Sequence, residues 1–325
     1  MFPGLALVMA VSALAWGAEL ALTAAVGHPT LEAIVLAILI GAVVRAFWAP
    51  PVRFAPGIAL AAGLLLEIAI VLLGFGADLQ QFVRAGVPLL LSIVGVVVAA
   101  IVTGVVIGRA LGLSNVHALL VACGNAICGN SAIAALAPVL GAKKEEVASA
   151  IAYTAVLGVV VILGLPYLAP LFGLNDYQYG ILAGLTVYAV PQVIAAAYPV
   201  SLLAGQTATL VKLVRVLMLG PLVIACSIAM HGKKTSARVT DLVPWFVIGF
   251  IVAGALRSLG GVTAGFASAA GTAARVLTVL AMAALGLNVD INAIRKVGPK
   301  VALTVTGSLA AMVTIALAIV KWLPR

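Results

Sequence analysis

The residues with the most chemical potential in this chain lie in two short polar stretches that interrupt long apolar sequence. The first reads ACGNAICGNSAIAALAPVL (122–140), and the second reads TVYAVPQVIAAAYPV (186–200). Glycine and proline favour a break in a helix, and amide and hydroxyl groups donate and accept hydrogen bonds. Within a bilayer, an unwound helix needs polar partners from protein or from a water-filled cavity. The two stretches therefore predict a polar site at two broken helices.

Candidate substrate-binding residues share a position in or beside these stretches, or a charge inside an apolar segment. They are Asn125, Cys128, Gly129, Asn130, Ser131, Thr186, Tyr188, Gln192, Lys212 and Arg215. Half-helix N-termini present positive dipole ends, which suit an anion. The alternative interpretation is close helix packing by small residues, with Asn and Ser bonding across the interface.

Lys212 and Arg215 lie three residues apart, on one face of a predicted helix. Charges at such depth are costly and face a cavity or a partner. They predict either an anion contact or a structural ion pair, with Glu67 as the expected partner. Asp78, Asp290 and Glu67 are the candidates for a coupling-ion site, although capping of helix ends also explains the two aspartates.

The composition of the chain is that of a helical membrane protein. Hydrophobic residues make up 65% of the 325 residues and charged residues 8%. Apolar runs long enough to cross a bilayer recur from end to end. The fold class is therefore predicted to be an all-α polytopic membrane protein with about ten or eleven transmembrane helices. The apolar segments are 4–26, 30–48, 56–78, 86–112, 115–140, 147–172, 178–199, 205–230, 242–259, 264–289 and 299–322.

Charge and cysteine patterns exclude several other classes. The formal net charge is +9, but no basic cluster suggests nucleic-acid binding. The positive residues lie mainly in short loops and favour a cytoplasmic N-terminus. Three cysteines in apolar segments argue against a disulfide framework. No motif of a hydrolase, metal centre or nucleotide site occurs, so we expect no catalytic residues, no metal, no cofactor and no enzyme activity.

Two internal similarities predict repeats. VLLGFGADLQQFVRAG (71–86) matches AALGLNVDINAIRKVG (283–298) without a gap, pairing Gly74 with Gly286. Seven predicted spans separate the two, so they face opposite ways, which is typical of inverted repeats in secondary transporters. GNSAIAALAPV (129–139) similarly matches VPQVIAAAYPV (190–200), so the polar interruption occurs twice.

Four motifs in order resemble the YeiH-like family of bacterial inner-membrane proteins, which carries the label of sulfate exporters. They are GNAICGNSAI, VKLVRVLML, DLVPWFVIGFI and LAMAALGLNVDINAIRKVG, and the resemblance runs from about residue 30 to near the end. It implies a fold related to the bile-acid/sodium symporter and cation–proton antiporter group. That fold has inverted repeats, a scaffold domain, a core domain with two crossing unwound helices, and elevator-type alternating access.

The sequence departs from the family pattern at both polar stretches. The first family motif reads roughly G-x-S-I-C-G-x-S-A, and Ala126 replaces its first serine. The second usually reads T-V-H-[ED]-V-A-Q-V, and here Tyr188 and Ala189 replace the histidine and the acidic residue. These are the groups best suited to proton coupling. Lys212 and Arg215 keep the family's K-x-x-R spacing. The substrate, the coupling ion or both are therefore expected to differ.

The sequence thus predicts a secondary transporter that moves a small anion, such as a sulfate-like oxyanion, a sulfonate or a small organic anion, across the bacterial cytoplasmic membrane. The alternatives are a sodium-coupled organic-anion symporter and a ligand-binding membrane sensor that does not transport. Expected partners are the anion, the lipid bilayer and Na⁺ or H⁺ as coupling ion, with a homodimer as a further candidate. The chain is predicted to form one membrane-embedded domain over 1–325, with core elements about 56–172, 178–230 and 264–322 and the remaining spans as scaffold.

Overall fold

A computed structural model of the 325-residue chain describes residues 1–26, 32–77, 79–231, 244–289 and 298–322. The side chains of 79–85 and 231 are outside the description. The described elements are all helical. They are α1 Phe2–Val26, α2 Ala33–Phe47, α3 Val52–Gly74, α4 Leu79–Ala110, α5 Asn115–Ala126, α6 Asn130–Leu140, α7 Lys144–Phe172, α8 Asp176–Thr186, α9 Val190–Ala197, α10 Leu202–Leu217, α11 Leu219–His231, α12 Trp245–Ser258, α13 Ala264–Asn288 and α14 Pro299–Trp322.

The predicted all-α polytopic membrane fold is confirmed. Seven stretches are long and apolar enough to cross a membrane within the described ranges. They are α1, α3, residues 86–110 of α4, α7, 202–230 (α10 with α11), α13 and α14. The remaining predicted segments are the two short helices α2 and α12 and the two broken pairs, α5 with α6 and α8 with α9. Each of the eleven predicted apolar segments therefore corresponds to helix in the described part of the chain.

The chain divides into two compact units. The first comprises Met1–Gln81 and Trp245–Asn292, and the second comprises Phe82–Pro244 and Ala293–Arg325. The first unit thus groups α3 and α13 with α1, α2 and α12. The second holds both broken segments. The predicted assignment of spans to core and scaffold stays a prediction.

In the first unit, glycines let helix backbones approach closely, as small residues commonly do in membrane helices. A Cβ atom on Gly286 of α13 would lie 2.3 Å from the carbonyl oxygen of Ile38 on α2. A Cβ atom on Gly74 of α3 would lie 2.6 Å from the carbonyl oxygen of Phe250 on α12. The glycines that the sequence alignment pairs therefore have the same packing role. The inverted-repeat relation itself stays a prediction.

The second unit is built on α8 and α10, which pack closely along their length. A Cβ atom on Gly184 would lie 2.6 Å from the carbonyl oxygen of Ala208. α5 and α8 both begin at capping residues: the Ser114 and Asn175 side chains accept hydrogen bonds from the amides of His117 and Gln178. These two helices enter the bundle and then stop partway, at the two breaks.

Candidate functional site

The first break separates α5 from α6 and confirms the interruption predicted from the glycines. α5 ends at Ala126, and Ile127 has φ −112° and ψ −82°, outside the helical range. Gly129 has φ 66° and ψ −119°, a backbone conformation that residues with a Cβ atom rarely adopt. α6 begins immediately afterwards, at Asn130.

The second break separates α8 from α9. Val187 and Ala189 both have extended backbone, with ψ 144° and 149° respectively. Pro191 lies in the first turn of α9, where its missing N–H costs no hydrogen bond. The amide of Ala189 instead donates to Oε1 of Gln192 at 3.2 Å. The start of α9 is thus capped by the side chain of its own glutamine.

Lys212 of α10 joins the two breaks. Its side chain is fully buried. The ammonium Nζ donates to the carbonyl oxygen of Ile127 in the first break and to that of Val187 in the second, the latter at 2.8 Å. One ammonium therefore bonds a carbonyl from each interrupted helix, which brings the two breaks together. A Cβ atom on Gly129 would lie 3.5 Å from the Cβ of Tyr188, which agrees with this proximity.

Arg215 lies one turn further along α10, and its guanidinium is also fully buried. Nε donates to the carbonyl of Ala126 at 3.0 Å, and Nη2 donates to those of Asn125 and Ala126 at 3.1 and 2.6 Å. Nη1 donates to the carbonyls of Gly184 and Val187 at 2.7 and 3.3 Å. A guanidinium has five N–H donors. All five are accounted for by backbone carbonyls at the C-terminal ends of α5 and α8 and by that of Val187.

These contacts explain how two positively charged side chains are accommodated in a buried site. The last carbonyls of a helix have no partner within the helix and carry its negative dipole end. α5 and α8 both bring such ends into the interior, and Lys212 and Arg215 satisfy them. Among the described residues the hydrogen-bond partners of both cations are these carbonyls and, for Arg215 Nη2, the sulfur of Met312 at 3.9 Å, rather than Glu67. Glu67 belongs to the first unit, where its Oε2 accepts a hydrogen bond from Trp245 Nε1 at 2.7 Å.

Two buried polar atoms at the breaks have no hydrogen-bond partner among the described residues: Oδ1 of Asn125 and the hydroxyl of Tyr188. Both side chains are 1% exposed. The Asn125 amide nitrogen is bonded, donating to Ser308 Oγ and, at 3.1 Å, to the carbonyl of Val305 on α14. An unpaired buried polar group is unfavourable, so these atoms mark places where a ligand or a water molecule would be stabilised.

The N-terminal turn of α6 is the accessible part of the site. Asn130 and Ser131 are exposed, whereas the other eight candidate substrate-binding residues are buried. Asn130 Oδ1 accepts a hydrogen bond from Thr154 Oγ1 on α7 at 3.4 Å. A Cβ atom on Gly158 of α7 would lie 2.2 Å from Nε2 of Gln192, so this glycine makes room for the glutamine amide. Thr154 and Gly158 are one helical turn apart, so one face of α7 contacts a polar residue of each break.

Of the remaining candidate residues, Thr186 and Cys128 are described by the structure and two aspartates are not. Thr186 donates its hydroxyl to the carbonyl of Leu182 in its own helix at 2.7 Å, a local bond. Cys128 lies within the first break and is buried. Asp78 and Asp290, the candidates for a coupling-ion site, lie outside the described residues. Their assignment, like that of the other site residues, stays a prediction.

Sequence reasoning missed the residues that support the breaks from α7 and α14. Thr154 and Gly158 on α7, and Ser308 and Met312 on α14, contact Asn130, Gln192, Asn125 and Arg215 respectively. Their four-residue spacing on each helix is a signal, because residues four apart share one face. Such spacing is too common in apolar helices to identify a site by itself.

The fold and the site together define a multi-pass all-α membrane protein with a polar centre between two broken helices. A family model described as "Conserved hypothetical protein 698" matches residues 3–305, and the chain belongs to that family.

Three bacterial relatives show the extent of the similarity. A "UPF0324 membrane protein" of Bradyrhizobium diazoefficiens is 47% identical, covering 99% of this chain and 93% of the relative. One of Brucella melitensis is 50% identical, covering 99% and 91%. One of Bacillus cereus is 38% identical, covering 82% and 77%. The YeiH-like resemblance and the multi-pass localisation are confirmed, and a bacterial inner membrane fits both. The relation to symporters and antiporters stays a prediction.

Proposed function

We propose that this protein is a secondary transporter that moves a small anion across the cytoplasmic membrane by alternating access. The observation that carries the proposal is the junction at Lys212, whose ammonium joins the carbonyls of Ile127 and Val187. Discontinuous helices that meet inside a bilayer are typical of the substrate sites of secondary transporters. A packing role alone does not require two interrupted helices held together by two buried cations.

The anion site is assigned to the N-terminal turn of α6. The first amides of a helix have no carbonyl partner within it, and they carry its positive dipole end. The exposed side chains of Asn130 and Ser131 add an amide and a hydroxyl at the same place. Amides, hydroxyls and a helix N-terminus together bind oxyanions without a metal. The Tyr188 hydroxyl is a buried donor on the second break that has no partner among the described residues.

The two cations have different roles in this proposal. Arg215 has all five donors on carbonyls, so it holds the breaks in place and has none left for an anion. Lys212 has three donors, two of which bond carbonyls. Its charge therefore adds to the positive potential at the junction. Both breaks and both cations lie in one compact unit, as an elevator-type carrier requires of a site that moves as one body.

The proposal is tested by ligand-induced stabilisation of the detergent-purified protein. Sulfate, sulfite, methanesulfonate and acetate are titrated at constant ionic strength while the unfolding temperature is followed. The variants are Asn130→Ala and Ser131→Ala. The control is Ser92→Ala on α4, because Ser92 is half-buried and, among the described residues, its hydroxyl bonds the carbonyl of Pro88 in its own helix at 2.8 Å.

We expect at least one of these anions to raise the unfolding temperature of the wild-type and Ser92→Ala proteins saturably. Asn130→Ala and Ser131→Ala should strongly reduce that rise, because each removes a polar group from the accessible turn. Stabilisation by an anion that both variants retain in full would place the anion elsewhere and contradict the assigned site. Absence of stabilisation by every anion of the panel would count against anion transport itself.

A further inference from the structure

The surroundings of the Lys212 ammonium have the chemistry of a monovalent-cation site. Its two acceptors are backbone carbonyls from the unwound residues Ile127 and Val187, just beyond the C-terminal ends of α5 and α8. In transporters with discontinuous helices, such carbonyls and half-helix C-termini are the groups that coordinate Na⁺. Here a covalently tethered cation occupies the position between them.

We propose that the Lys212 ammonium fills a monovalent-cation site formed by the carbonyls of Ile127 and Val187. The wild-type protein is then independent of sodium, and a variant that lacks the ammonium acquires a sodium site. The proposal deepens the transport function described above, because it names how the coupling-cation position is occupied. The proposal rests on the transport function only in its statement about coupling. Whether a cation occupies the site is measured without any anion.

The neighbouring arginine cannot take over the role of the ammonium. Its five donors are already bonded to the carbonyls of Asn125, Ala126, Gly184 and Val187. Moving the guanidinium toward Ile127 would break several of these bonds. Removal of the Lys212 side chain therefore leaves the carbonyl of Ile127 without this partner and withdraws one of two positive charges from two negative helix ends.

Burial makes the vacated position selective for a small cation. Lys212 is 0% exposed, so the carbonyls that it bonds lie away from bulk solvent. Unpaired buried carbonyls are unfavourable and are relieved by any ligand that supplies positive charge in the same volume. Sodium, potassium and methylammonium fit that description, whereas choline is too large.

The test compares wild type, Lys212→Ala and Lys212→Met in the detergent-purified protein. Lys212→Met keeps most of the side-chain volume, so it reports on the loss of charge with little added cavity. The control is Thr209→Ala on the same helix, because Thr209 is fully buried and its hydroxyl donates to the carbonyl of Gly205 at 2.7 Å. Chlorides of sodium, potassium, methylammonium and choline are titrated at constant total chloride. Unfolding temperature and binding of ²²Na⁺ are the readouts.

We expect sodium or methylammonium to stabilise Lys212→Ala by several degrees relative to choline, saturably, with stoichiometric ²²Na⁺ binding. Wild type and Thr209→Ala should show no such difference. Equal stabilisation by all four chlorides, or saturable sodium binding by the wild type, would overturn the proposal. So would a pair of Lys212 variants that stay unfolded at every sodium concentration, because sodium would then have failed to replace the ammonium. A failure of anion transport leaves these readouts unaffected, so the two proposals fail separately.

Discussion

At the scale of single residues, the arginine on α10 determines how the two breaks are held. A buried guanidinium is expensive to desolvate, and in Arg215 that cost is offset by five hydrogen bonds to carbonyls that would otherwise lack partners. The planar fork makes five directed bonds to the ends of both helices, whereas a lysine ammonium has three donors. Arg215 is therefore a specific structural requirement rather than a general positive charge.

Arg215→Lys should destabilise the protein despite keeping the charge. A lysine offers three donors, so at least two of the five bonds are lost, and each lost hydrogen bond from a charged donor costs about 1.5–3 kcal/mol. The unfolding free energy should fall by about 3–6 kcal/mol for the two lost bonds. The matched control is Arg257→Lys, because Arg257 makes a bond to one carbonyl, that of Val262, at 2.9 Å. Equal unfolding temperatures for the two variants would contradict the five-bond role.

The glycine at the first break makes a second prediction at this scale. Gly129 has φ 66° and ψ −119°, and Gly141 has φ 62° and ψ 35°. Alanine is disfavoured at both, but only the second conformation lies in the left-handed helical region that other residues sometimes adopt. Gly129→Ala should lower the free energy of unfolding by about 1–3 kcal/mol. Gly141→Ala should lower it by about 1 kcal/mol.

Gly129→Ala should also weaken anion-induced stabilisation, because the residue directly precedes the α6 turn assigned to the anion. Thermal unfolding with and without the anion measures both effects. A Gly141→Ala variant that loses anion stabilisation as fully as Gly129→Ala would show that the break geometry is not what matters.

At the scale of elements, the sequence predicted where the helices break but not what holds them. Gly129 and Pro191 lie beside polar side chains in apolar surroundings, and both signals are local. The partners of Lys212 could not be predicted, because they are backbone carbonyls and every residue has one. Glu67 was the expected partner since it is an acid in an apolar segment, but a helix end provides negative potential without an acidic side chain.

Helix α7 positions both breaks, which allows a prediction about packing. A Cβ atom on Gly158 would lie 2.2 Å from Nε2 of Gln192, whereas a Cβ atom on Gly164 of the same helix meets nothing within 4 Å. Gly158→Ala should displace the glutamine that caps α9 and lower both stability and anion response.

Gly164→Ala is the control for this packing and should be neutral or slightly stabilising, because alanine has the higher helix propensity. The readout is the unfolding temperature measured with and without the anion. If the two variants behave alike, α7 does not constrain the second break.

The paired glycines of α3 and α13 test whether the two similar segments pack equivalently. Alanine at Gly74 or Gly286 would place its Cβ within 2.6 or 2.3 Å of a backbone carbonyl on the adjacent helix. Both variants should destabilise the protein by about 1–3 kcal/mol through forced backbone shifts. Gly17→Ala is the control, because nothing lies within 4 Å of its Cβ position. Clearly different unfolding temperatures for Gly74→Ala and Gly286→Ala would contradict an equivalent packing role for the two glycines.

At the scale of the whole molecule, the chain combines very low charge with a fixed positive centre. Charged residues are 8% of the chain, yet Lys212 and Arg215 are both buried at one junction. In the proposed function these charges neutralise helix ends, and the N-terminus of α6 binds the anion without a metal. In the further proposal the tethered ammonium takes the place of sodium at the same junction. Together the two proposals describe an anion carrier in which a lysine side chain fills the cation position.

The most direct measurement is exchange of a labelled anion across vesicles containing the purified protein. Labelled sulfate, sulfite, methanesulfonate and acetate are each followed with sodium or choline as the counter-cation. We predict that at least one anion exchanges, at the same rate in both salts, and that Asn130→Ala slows the exchange while Ser92→Ala does not. Exchange that requires sodium in the wild type, or that proceeds unchanged in Asn130→Ala, would contradict the central claim.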